Sequence, residues 1–173
     1  MKQKPVWILC GAPGCGKSTF ARNYLKTHAG VLISRDKIRL ALLNDSDDYF
    51  ANEDQVFIEY IRWAQDKLND EKCVGPVIMD ATQINERSRK KVYNKLNKNN
   101  ISEIHYFYFT TPFNTCWERN SKRQGREFVP KSSIRRMYLS MTDPINDSKI
   151  NTPVIIHYID EYGNEVKRTW IHQ

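Results

Sequence analysis

The segment from Gly11 to Ser18 restricts the fold of this chain more than any other. It fits the pattern GxxxxGK(S/T) at every required position, and it lies between an apolar run at residues 6–10 and an amphipathic stretch at residues 18–28. Glycines let the backbone wrap closely around phosphate oxygens, and the start of a helix offers unpaired N–H groups to the same oxygens. A strand, a glycine-rich loop and a helix in this order predict an α/β fold that binds the phosphates of a nucleotide.

Two residues of this loop carry charge and metal chemistry. Lys17 supplies a positive charge to the β- and γ-phosphates, which makes it a predicted catalytic residue, and Ser18 offers a hydroxyl to Mg²⁺. The residues predicted to bind the nucleotide are the loop and the residue behind it: Gly11, Ala12, Pro13, Gly14, Cys15, Gly16, Lys17, Ser18 and Thr19. A phosphate-binding loop does not by itself identify the reaction.

The rest of the chain alternates between apolar runs and helical patterns. Strands are predicted at residues 6–10, 31–33, 76–80 and 104–110, and helices at residues 18–28, 38–43, 57–69, 86–98, from Pro112, and at 130–141. This alternation predicts a P-loop NTPase-type parallel sheet with helices on both faces. Two further apolar runs, at residues 154–160 and 166–171, flank a turn and predict a C-terminal β-hairpin.

Length and charge limit the number of domains and the kind of partner. The chain has 173 residues, so a single domain over residues 1–173 is expected, and 27 Lys and Arg against 20 Asp and Glu leave a net charge of +7. The surplus favours an anionic partner. The four cysteines have no metal-binding or redox spacing, and no apolar stretch approaches the roughly 20 residues that cross a bilayer. We therefore expect a cytoplasmic protein that binds no membrane.

A carboxylate follows the third predicted strand. Asp80 stands at the carboxyl end of this strand, which is the edge at which parallel sheets place their ligands. It suits a carboxylate that holds Mg²⁺, directly or through water, or that accepts a hydrogen bond from Ser18. The alternative is an ordinary strand-end aspartate that caps a turn with Thr82.

A second carboxylate follows the second predicted strand. Ser34 can cap the next helix, which places Asp36 in its first turn, and Arg39 follows three residues later on the same face. A carboxylate beside a guanidinium can serve an acceptor hydroxyl and an adjacent phosphate. The alternative is an ion pair between Asp36 and Arg39 that only stabilises the helix.

Several segments together make the chain resemble the kinase domain of phage-type polynucleotide 5′-hydroxyl kinases. The shared elements are Gly11 to Thr19, Arg35-Asp36 with Arg39, Ile78 to Thr82 with Asn85 and Arg87, the stretch from Trp117 to Arg123, Val129-Pro130, and Ile134 to Met141. The resemblance covers residues 5 to 142, so residues 1–142 are interpreted as a family-like core and residues 150–173 as an extension. The RDxxR and RNSKR elements, in this order, are much more specific than the phosphate loop.

The resemblance implies an activity and residue roles. It implies ATP- and Mg²⁺-dependent transfer of the γ-phosphate to the 5′-hydroxyl end of DNA or RNA, in the cytoplasm of a host cell if the chain is phage-encoded. Asp36 would be the general base, Arg39 would bind the phosphate on the 3′ side of the terminal nucleoside, and Asp80 would be the carboxylate beside the phosphate loop. Asp80 and Arg87 are both also predicted to bind the acceptor. Arg119 and Arg123 would be lid arginines on the donor phosphates, with Arg123 catalytic.

The spacing of basic residues supports the lid. Arg119, Lys122, Arg123 and Arg126 fall at i, i+3, i+4 and i+7, which predicts one basic helical face that ends near a hinge at Gly125, provided that the helix continues. A solvated face is the alternative. Tyr49 and Phe50 are predicted to contact the terminal base.

Departures from the family leave other functions open. The sequence has no DxDGT motif, so we expect no 3′-phosphatase activity, and the C-terminal hairpin is expected to add edge strands or to form an oligomer contact. The main alternative is a P-loop kinase that acts on a small-molecule, nucleoside or nucleotide hydroxyl. A GTP-dependent switch is disfavoured because residues 94–97 lack the aspartate of the NKxD element, and a non-catalytic nucleotide-gated binder of nucleic acid is the last alternative.

Overall fold

The alternating apolar runs form one six-stranded sheet. In the computed structural model, which describes residues 2–44 and 47–171, the strand order is β2-β3-β1-β4-β5-β6. The strands are β1 (Lys4–Cys10), β2 (Val31–Ser34), β3 (Val77–Asp80), β4 (Ile101–Phe109), β5 (Val154–Ile159) and β6 (Glu165–Ile171). The first five in this order run parallel and β6 is antiparallel to β5, which confirms the predicted parallel sheet.

Within the described residues, six α-helices cover this sheet. They are α1 (Lys17–Leu25), α2 (Arg35–Leu42), α3 (Glu53–Asn69), α4 (Glu86–Lys95), α5 (Phe113–Ser121) and α6 (Lys131–Leu139). Successive strand residues point to opposite faces, so Ile8 belongs to one apolar cluster with α3 and α4, and Leu9 to another with α1 and α5. The predicted arrangement with helices on both faces is therefore confirmed.

The observed helix ends differ from those predicted by apolar periodicity where polar side chains form hydrogen bonds with the backbone. Helix α2 begins at Arg35 because the Ser34 hydroxyl accepts a hydrogen bond from the N–H of Lys37 at 3.4 Å, so the predicted cap is confirmed. Helix α4 ends at Lys95 rather than residue 98, since Asn97 accepts the N–H of Asn99 and starts a separate 3₁₀ turn.

The C-terminal hairpin is confirmed, and its two strands have different environments. Strand β5 pairs with β4 inside the sheet, and Ile156 and Ile159 on it are fully buried. Strand β6 lies at the edge, where Val166 and Trp170 are exposed. The hairpin therefore adds strands to the sheet, while its predicted role in an oligomer contact stays a prediction. Among the helices of the described residues, none is long and apolar enough to cross a membrane.

Candidate active site

The ends of three parallel strands bring the predicted site residues to one edge of the sheet. Asp80 on β3 is in register with Leu9 on β1 and with Ser34 on β2. The phosphate loop therefore follows the strand next to Asp80, and helix α2 with Asp36 follows the strand on its other side. This is the edge at which open α/β sheets bind ligands.

The phosphate loop has a backbone that only glycine adopts without strain at two positions. Gly14 has a φ of 83° and Gly16 a φ of 107°, both in the left-handed region. A Cβ on Gly14 would lie 2.3 Å from the carbonyl oxygen of Cys116, so helix α5 packs directly against the loop. The glycine pattern thus serves both the loop conformation and its close contact with α5.

Lys17 and Ser18 point into the site from the start of α1. The buried Lys17 ammonium donates hydrogen bonds to the carbonyl oxygens of Gly11 at 2.7 Å and Ala12 at 3.0 Å. The Ser18 hydroxyl donates to Asp80 Oδ2 at 2.6 Å. Burial raises the pKa of Asp80, and the charge of Lys17 and the hydrogen bond from Ser18 offset part of this effect.

The Ser18–Asp80 pair fits a Mg²⁺ site shared with phosphates. Mg²⁺ prefers hard oxygen ligands and is usually held by one or two protein groups, with waters and substrate phosphates completing its octahedron. A hydroxyl and a carboxylate at the mouth of the phosphate loop meet this requirement. Within residues 2–44 and 47–171, no cluster of three or more His, Cys, Asp or Glu side chains could hold a metal by itself.

The second half of the site is built from side chains of α2 and α3. Asp36 is 73% exposed, and it pairs with the buried Arg39 through Oδ1. The Arg39 Nε donates to Glu53 Oε1 at 2.5 Å, and Arg35 Nη2 donates to Glu53 Oε2 at 2.8 Å. Burial by itself lowers the pKa of Arg39, but its hydrogen bond to Glu53 and the nearby acids raise it overall, so the guanidinium stays charged.

Two aromatic residues cover this arginine. The Arg39 guanidinium carbon lies 4.7 Å from the ring centroid of Tyr49 and 5.5 Å from that of Phe50. The Tyr49 hydroxyl accepts a hydrogen bond from Arg39 Nη1 at 3.1 Å and donates to Asp36 Oδ1 at 3.2 Å. Burial, together with the charge of Asp36, raises the pKa of Tyr49, so its phenol stays protonated. Tyr49 therefore borders the exposed carboxylate of Asp36, and Phe50 lies beside Tyr49 and over Arg39.

The basic helical face predicted for the lid required helix α5 to continue, and this condition is not met. Helix α5 ends at Ser121, because the fully buried Asn120 donates to the carbonyl of Val129 at 2.7 Å and accepts its N–H at 3.2 Å. These two bonds close residues 121–128 into a loop, in which Gly125 has a φ of 57°. The lid is therefore a pinned loop after α5 rather than an extension of the helix.

The arginines of this region have separate positions. Arg119 on α5 lies beside the phosphate loop, since its Nη1 would be 3.6 Å from a Cβ on Gly16. Arg123 lies in the loop and is exposed, and within the described part of the chain its side chain has no hydrogen-bond or ion-pair partner. Arg126 Nη2 donates to the carbonyl of Asn44 at 3.0 Å, so the loop reaches toward the segment that leads to Tyr49.

Arg87 and Arg89 on α4 have opposite environments. Arg87, which the resemblance places on the acceptor side, is exposed on the surface of the helix. Arg89 is fully buried and binds Asp147 with two hydrogen bonds, at 2.5 Å from Nη2 and 2.6 Å from Nε. The structural arginine of this helix is thus Arg89, and the sequence analysis did not single it out.

Three residues to which the sequence pattern assigned no individual role hold the site together. They are Glu53, Asn120 and Glu161, whose partners are Arg39, Val129 and Arg119 respectively. An acid in the first turn of α3 is a common helix feature, so nothing in the local sequence marks Glu53 as the partner of an arginine 14 residues earlier. The other two contacts likewise depend on how distant segments pack.

Comparison with known proteins assigns a family to this architecture. The family model described as an AAA domain matches residues 6–144, which include the phosphate loop, both halves of the site and the lid. Among solved structures, a chain of the Pnkp1/Rnl/Hen1 RNA repair complex is similar at 28% identity with a TM-score of 0.67. That match covers 81% of this chain and 44% of the other, so this chain spans less than half the length of that relative.

Two further structures share the fold at low identity. A gluconokinase from Sinorhizobium meliloti 1021 is 14% identical with a TM-score of 0.58, and the match covers 95% of this chain and 86% of that one. A sugar kinase from Janibacter sp. HTCC2649 is 15% identical with the same TM-score of 0.58, covering 94% and 87% of the two chains. The chain therefore belongs to the AAA domain family, and it has the α/β fold and the nucleotide-binding loop of a P-loop kinase.

Proposed function

We propose that this protein transfers the γ-phosphate of ATP, with Mg²⁺, to the 5′-hydroxyl end of DNA or RNA. The observation that carries the proposal is the pairing of an exposed carboxylate, Asp36, with a buried arginine, Arg39, at the sheet edge that also holds the phosphate loop. A carboxylate can accept the proton of an attacking hydroxyl, and a guanidinium can bind a neighbouring phosphate. An acceptor with a hydroxyl next to a phosphodiester has both groups.

On the acceptor side, the free atoms of the pair match these two tasks. Asp36 is open to solvent, and Arg39 keeps its Nη2 without a partner among the described residues, since Nε and Nη1 are bonded to Glu53, Asp36 and Tyr49. The Nη2 group would bind the phosphate on the 3′ side of the terminal nucleoside. Tyr49 and Phe50 would contact the terminal base, and the exposed Arg87 would meet a phosphate farther along the strand.

On the donor side, Lys17 and the loop N–H groups would bind the triphosphate. The Lys17 ammonium is held by loop carbonyls, and it would turn from them to the β- and γ-phosphates. Ser18 and Asp80 would hold Mg²⁺, which neutralises charge on the phosphates. Arg119 and Arg123 would stabilise charge on the donor, with Arg123 approaching as the lid loop closes.

The chemical step then requires positioning more than covalent catalysis. In phosphoryl transfer the attacking and leaving oxygens lie roughly in line, so the acceptor hydroxyl must face the γ-phosphate from the side opposite the leaving oxygen. Asp36 lies on the helix that follows β2, and the phosphate loop follows β1, with Asp80 on β3 between these two strands. This placement of acceptor and donor residues on either side of Asp80 supports in-line transfer.

The similarity to a chain of an RNA repair complex, at 28% identity, also supports the nucleic-acid acceptor. The competing proposal is a small-molecule, nucleoside or nucleotide hydroxyl as acceptor, in keeping with the fold shared with gluconate and sugar kinases. An acceptor panel separates the two. We expect labelled phosphate from ATP to enter 5′-hydroxyl oligonucleotides and nucleoside 3′-phosphates far better than nucleosides, because only the first two offer a phosphate to Arg39.

The Asp36→Asn variant tests the general base. We expect it to lower kcat for oligonucleotide phosphorylation by about 10²- to 10⁴-fold, with ATP affinity unchanged. Asp66→Asn, which changes an exposed acid on α3 far along the chain, is the matched control and should keep full activity. Full activity of Asp36→Asn would remove the general-base role, and transfer confined to sugars or nucleosides would replace the proposed function with its competitor.

A further inference from the structure

The turn of the C-terminal hairpin binds helix α5 at two points. Arg119 Nη2 donates a hydrogen bond to the backbone carbonyl oxygen of Glu161 at 2.7 Å. One helical turn earlier, the Thr115 hydroxyl donates to Glu161 Oε2 at 2.8 Å. Residues four apart lie on the same face of a helix, so a single residue of the turn holds one face of α5.

The turn itself has a well-defined shape. Asp160 Oδ1 accepts the N–H groups of Tyr162 at 2.9 Å and Asn164 at 2.8 Å, and Gly163 has a φ of 89°. These backbone hydrogen bonds, that of Asn164 foremost, lower the pKa of Asp160 and keep it ionised at neutral pH. The backbone therefore sets the internal shape of the turn, while the hydrogen bond from Thr115 to the Glu161 side chain sets the position of the Glu161 carbonyl against α5.

The base of the turn is joined to the strand that leads into α5. The carbonyl oxygen of Ile159 accepts hydrogen bonds from the N–H of Thr110 at 2.9 Å and from its hydroxyl at 3.1 Å. The next residue, Thr111, donates its hydroxyl hydrogen to the carbonyl of Cys15 in the phosphate loop at 2.8 Å. Loop, strand end, turn and α5 thus form a closed ring of contacts.

Arg119 completes this ring of contacts on the side that faces the phosphate loop. Its Nη2 is bonded to the turn, and its Nη1 lies beside Gly16, 3.6 Å from where a Cβ would stand. Among the described residues, Nη1 and Nε have no hydrogen-bond partner, so they remain available to a ligand. Arg123, in contrast, lies beyond the end of α5 and is not bonded to the turn.

We infer that the turn at Glu161 is a positioning element that holds Arg119 against the phosphate loop before the donor nucleotide binds. The C-terminal hairpin is then part of the nucleotide site. Glu161 acts through Arg119 and does not itself touch the reacting atoms. This inference rests on the donor half of the proposed function, and it is independent of the identity of the acceptor.

The test is a double-mutant cycle read by ATP binding. We expect Glu161→Ala, which removes the anchor to Thr115, to weaken ATP binding by about five-fold in calorimetry, as for the loss of one hydrogen bond. In an Arg119→Ala background the same change should cause no further loss, because its effect passes through that arginine. In an Arg123→Ala background the two losses should multiply.

Matched variants separate positioning from folding. Glu161→Gln keeps an acceptor oxygen for Thr115 and should bind ATP like the unmodified protein, with the same circular dichroism spectrum and melting temperature. Should Glu161→Ala fail to fold, Thr115→Val breaks the same contact from the side of α5 and should give the same five-fold loss.

The overturning outcome is a loss of ATP affinity that is equal with and without Arg119, or no loss in either Glu161→Ala or Thr115→Val. A second readout separates this inference from the proposed function. If the cycle behaves as expected but no 5′-hydroxyl oligonucleotide is phosphorylated, the acceptor proposal is wrong and the positioning role stands. If oligonucleotides are phosphorylated but the cycle shows no coupling, the positioning role is wrong and the function stands.

Discussion

The two halves of the site are built in different ways. Most of the donor half lies in one continuous segment of nine residues, 11–19, which carries the glycines, Lys17 and Ser18. The acceptor half is made of side chains from two helices, with Asp36 and Arg39 on α2 and their partner Glu53 on α3. A site carried by one segment is encoded locally in the sequence, whereas a site assembled from two helices depends on how those helices pack.

The halves also differ in exposure. Lys17 and Asp80 are both buried at the loop, so the donor half is enclosed by the protein. On the acceptor side, the arginine is buried while the carboxylate is 73% exposed. This difference suits a nucleotide held by many fixed groups and an acceptor that approaches from solvent. If the two halves act separately, a substitution in one half should leave the ligand of the other half unaffected.

Among variants at Asp80, Glu53 and Tyr49, the largest effect is expected from Asp80→Asn in the donor half. Without the carboxylate charge beside Ser18, we expect phosphoryl transfer to fall by about 10²-fold, measured at saturating ATP and Mg²⁺. The same variant should be more stable than the unmodified protein at pH 7, because burial raises the pKa of Asp80 and its ionised form is therefore costly in the fold.

The pH dependence gives the sign of this stability effect. The contribution of Asp80 is most favourable below its pKa of about 3.9 in the unfolded chain, where both states are protonated, and it is lost as pH rises through the higher pKa of the folded state. Urea denaturation should show that the difference in free energy of unfolding between Asp80→Asn and the unmodified protein grows as pH rises from about 3.5 and then stays constant. A difference that does not change with pH would contradict the role of burial.

An intermediate effect is expected from Glu53→Gln in the acceptor half. The buried Arg39 loses its charged partner, and we expect the free energy of unfolding to fall by about 2 kcal/mol, below the cost for a fully enclosed pair because Glu53 is 31% exposed. The KM for a 5′-hydroxyl oligonucleotide should rise about ten-fold, whereas ATP affinity should stay unchanged.

Asp54→Asn is the matched control for this variant. Asp54 lies next to Glu53 in the same first turn of α3, so both changes remove one negative charge from that helix end. Only Glu53→Gln should change the KM for the oligonucleotide. If both variants weaken the acceptor equally, the effect belongs to the helix terminus rather than to Arg39.

The smallest effect is expected from Tyr49→Phe. The ring stays over the Arg39 guanidinium, while the hydroxyl that links Asp36 and Arg39 is lost. Both hydrogen bonds of this hydroxyl are to charged groups, but the Asp36 carboxylate is 73% exposed and solvent takes over part of its bond. We therefore expect a loss of about 1 kcal/mol, seen as an approximately five-fold fall in kcat/KM for the oligonucleotide, with ATP affinity unchanged. Tyr162→Phe, at an exposed position of the hairpin turn, should leave both quantities unchanged. A weaker ATP affinity in Tyr49→Phe would show that the halves are coupled.

Local sequence patterns were sufficient to predict most of the fold. The apolar runs predicted every strand from β1 to β6, and the cap at Ser34 and the turn of the hairpin follow from residue types within a few positions. The end of α5 could not be predicted, because it depends on a pair of hydrogen bonds between Asn120 and Val129 across a loop. The spacing of Arg119, Lys122, Arg123 and Arg126 was compatible with a longer helix but did not show where the helix ends.

The sequence by itself determined the parallel sheet, the phosphate loop and the placement of Asp36 and Asp80 at strand ends. Tertiary structure alone decided which partners hold the arginines: Glu53 binds Arg39 across 14 positions, and Glu161 binds Arg119 across 42. The physical reason is the distance along the sequence over which each kind of interaction acts. Backbone preferences act over a few residues, whereas these ion pairs and hydrogen bonds form only after the sheet has brought distant helices and the hairpin turn together.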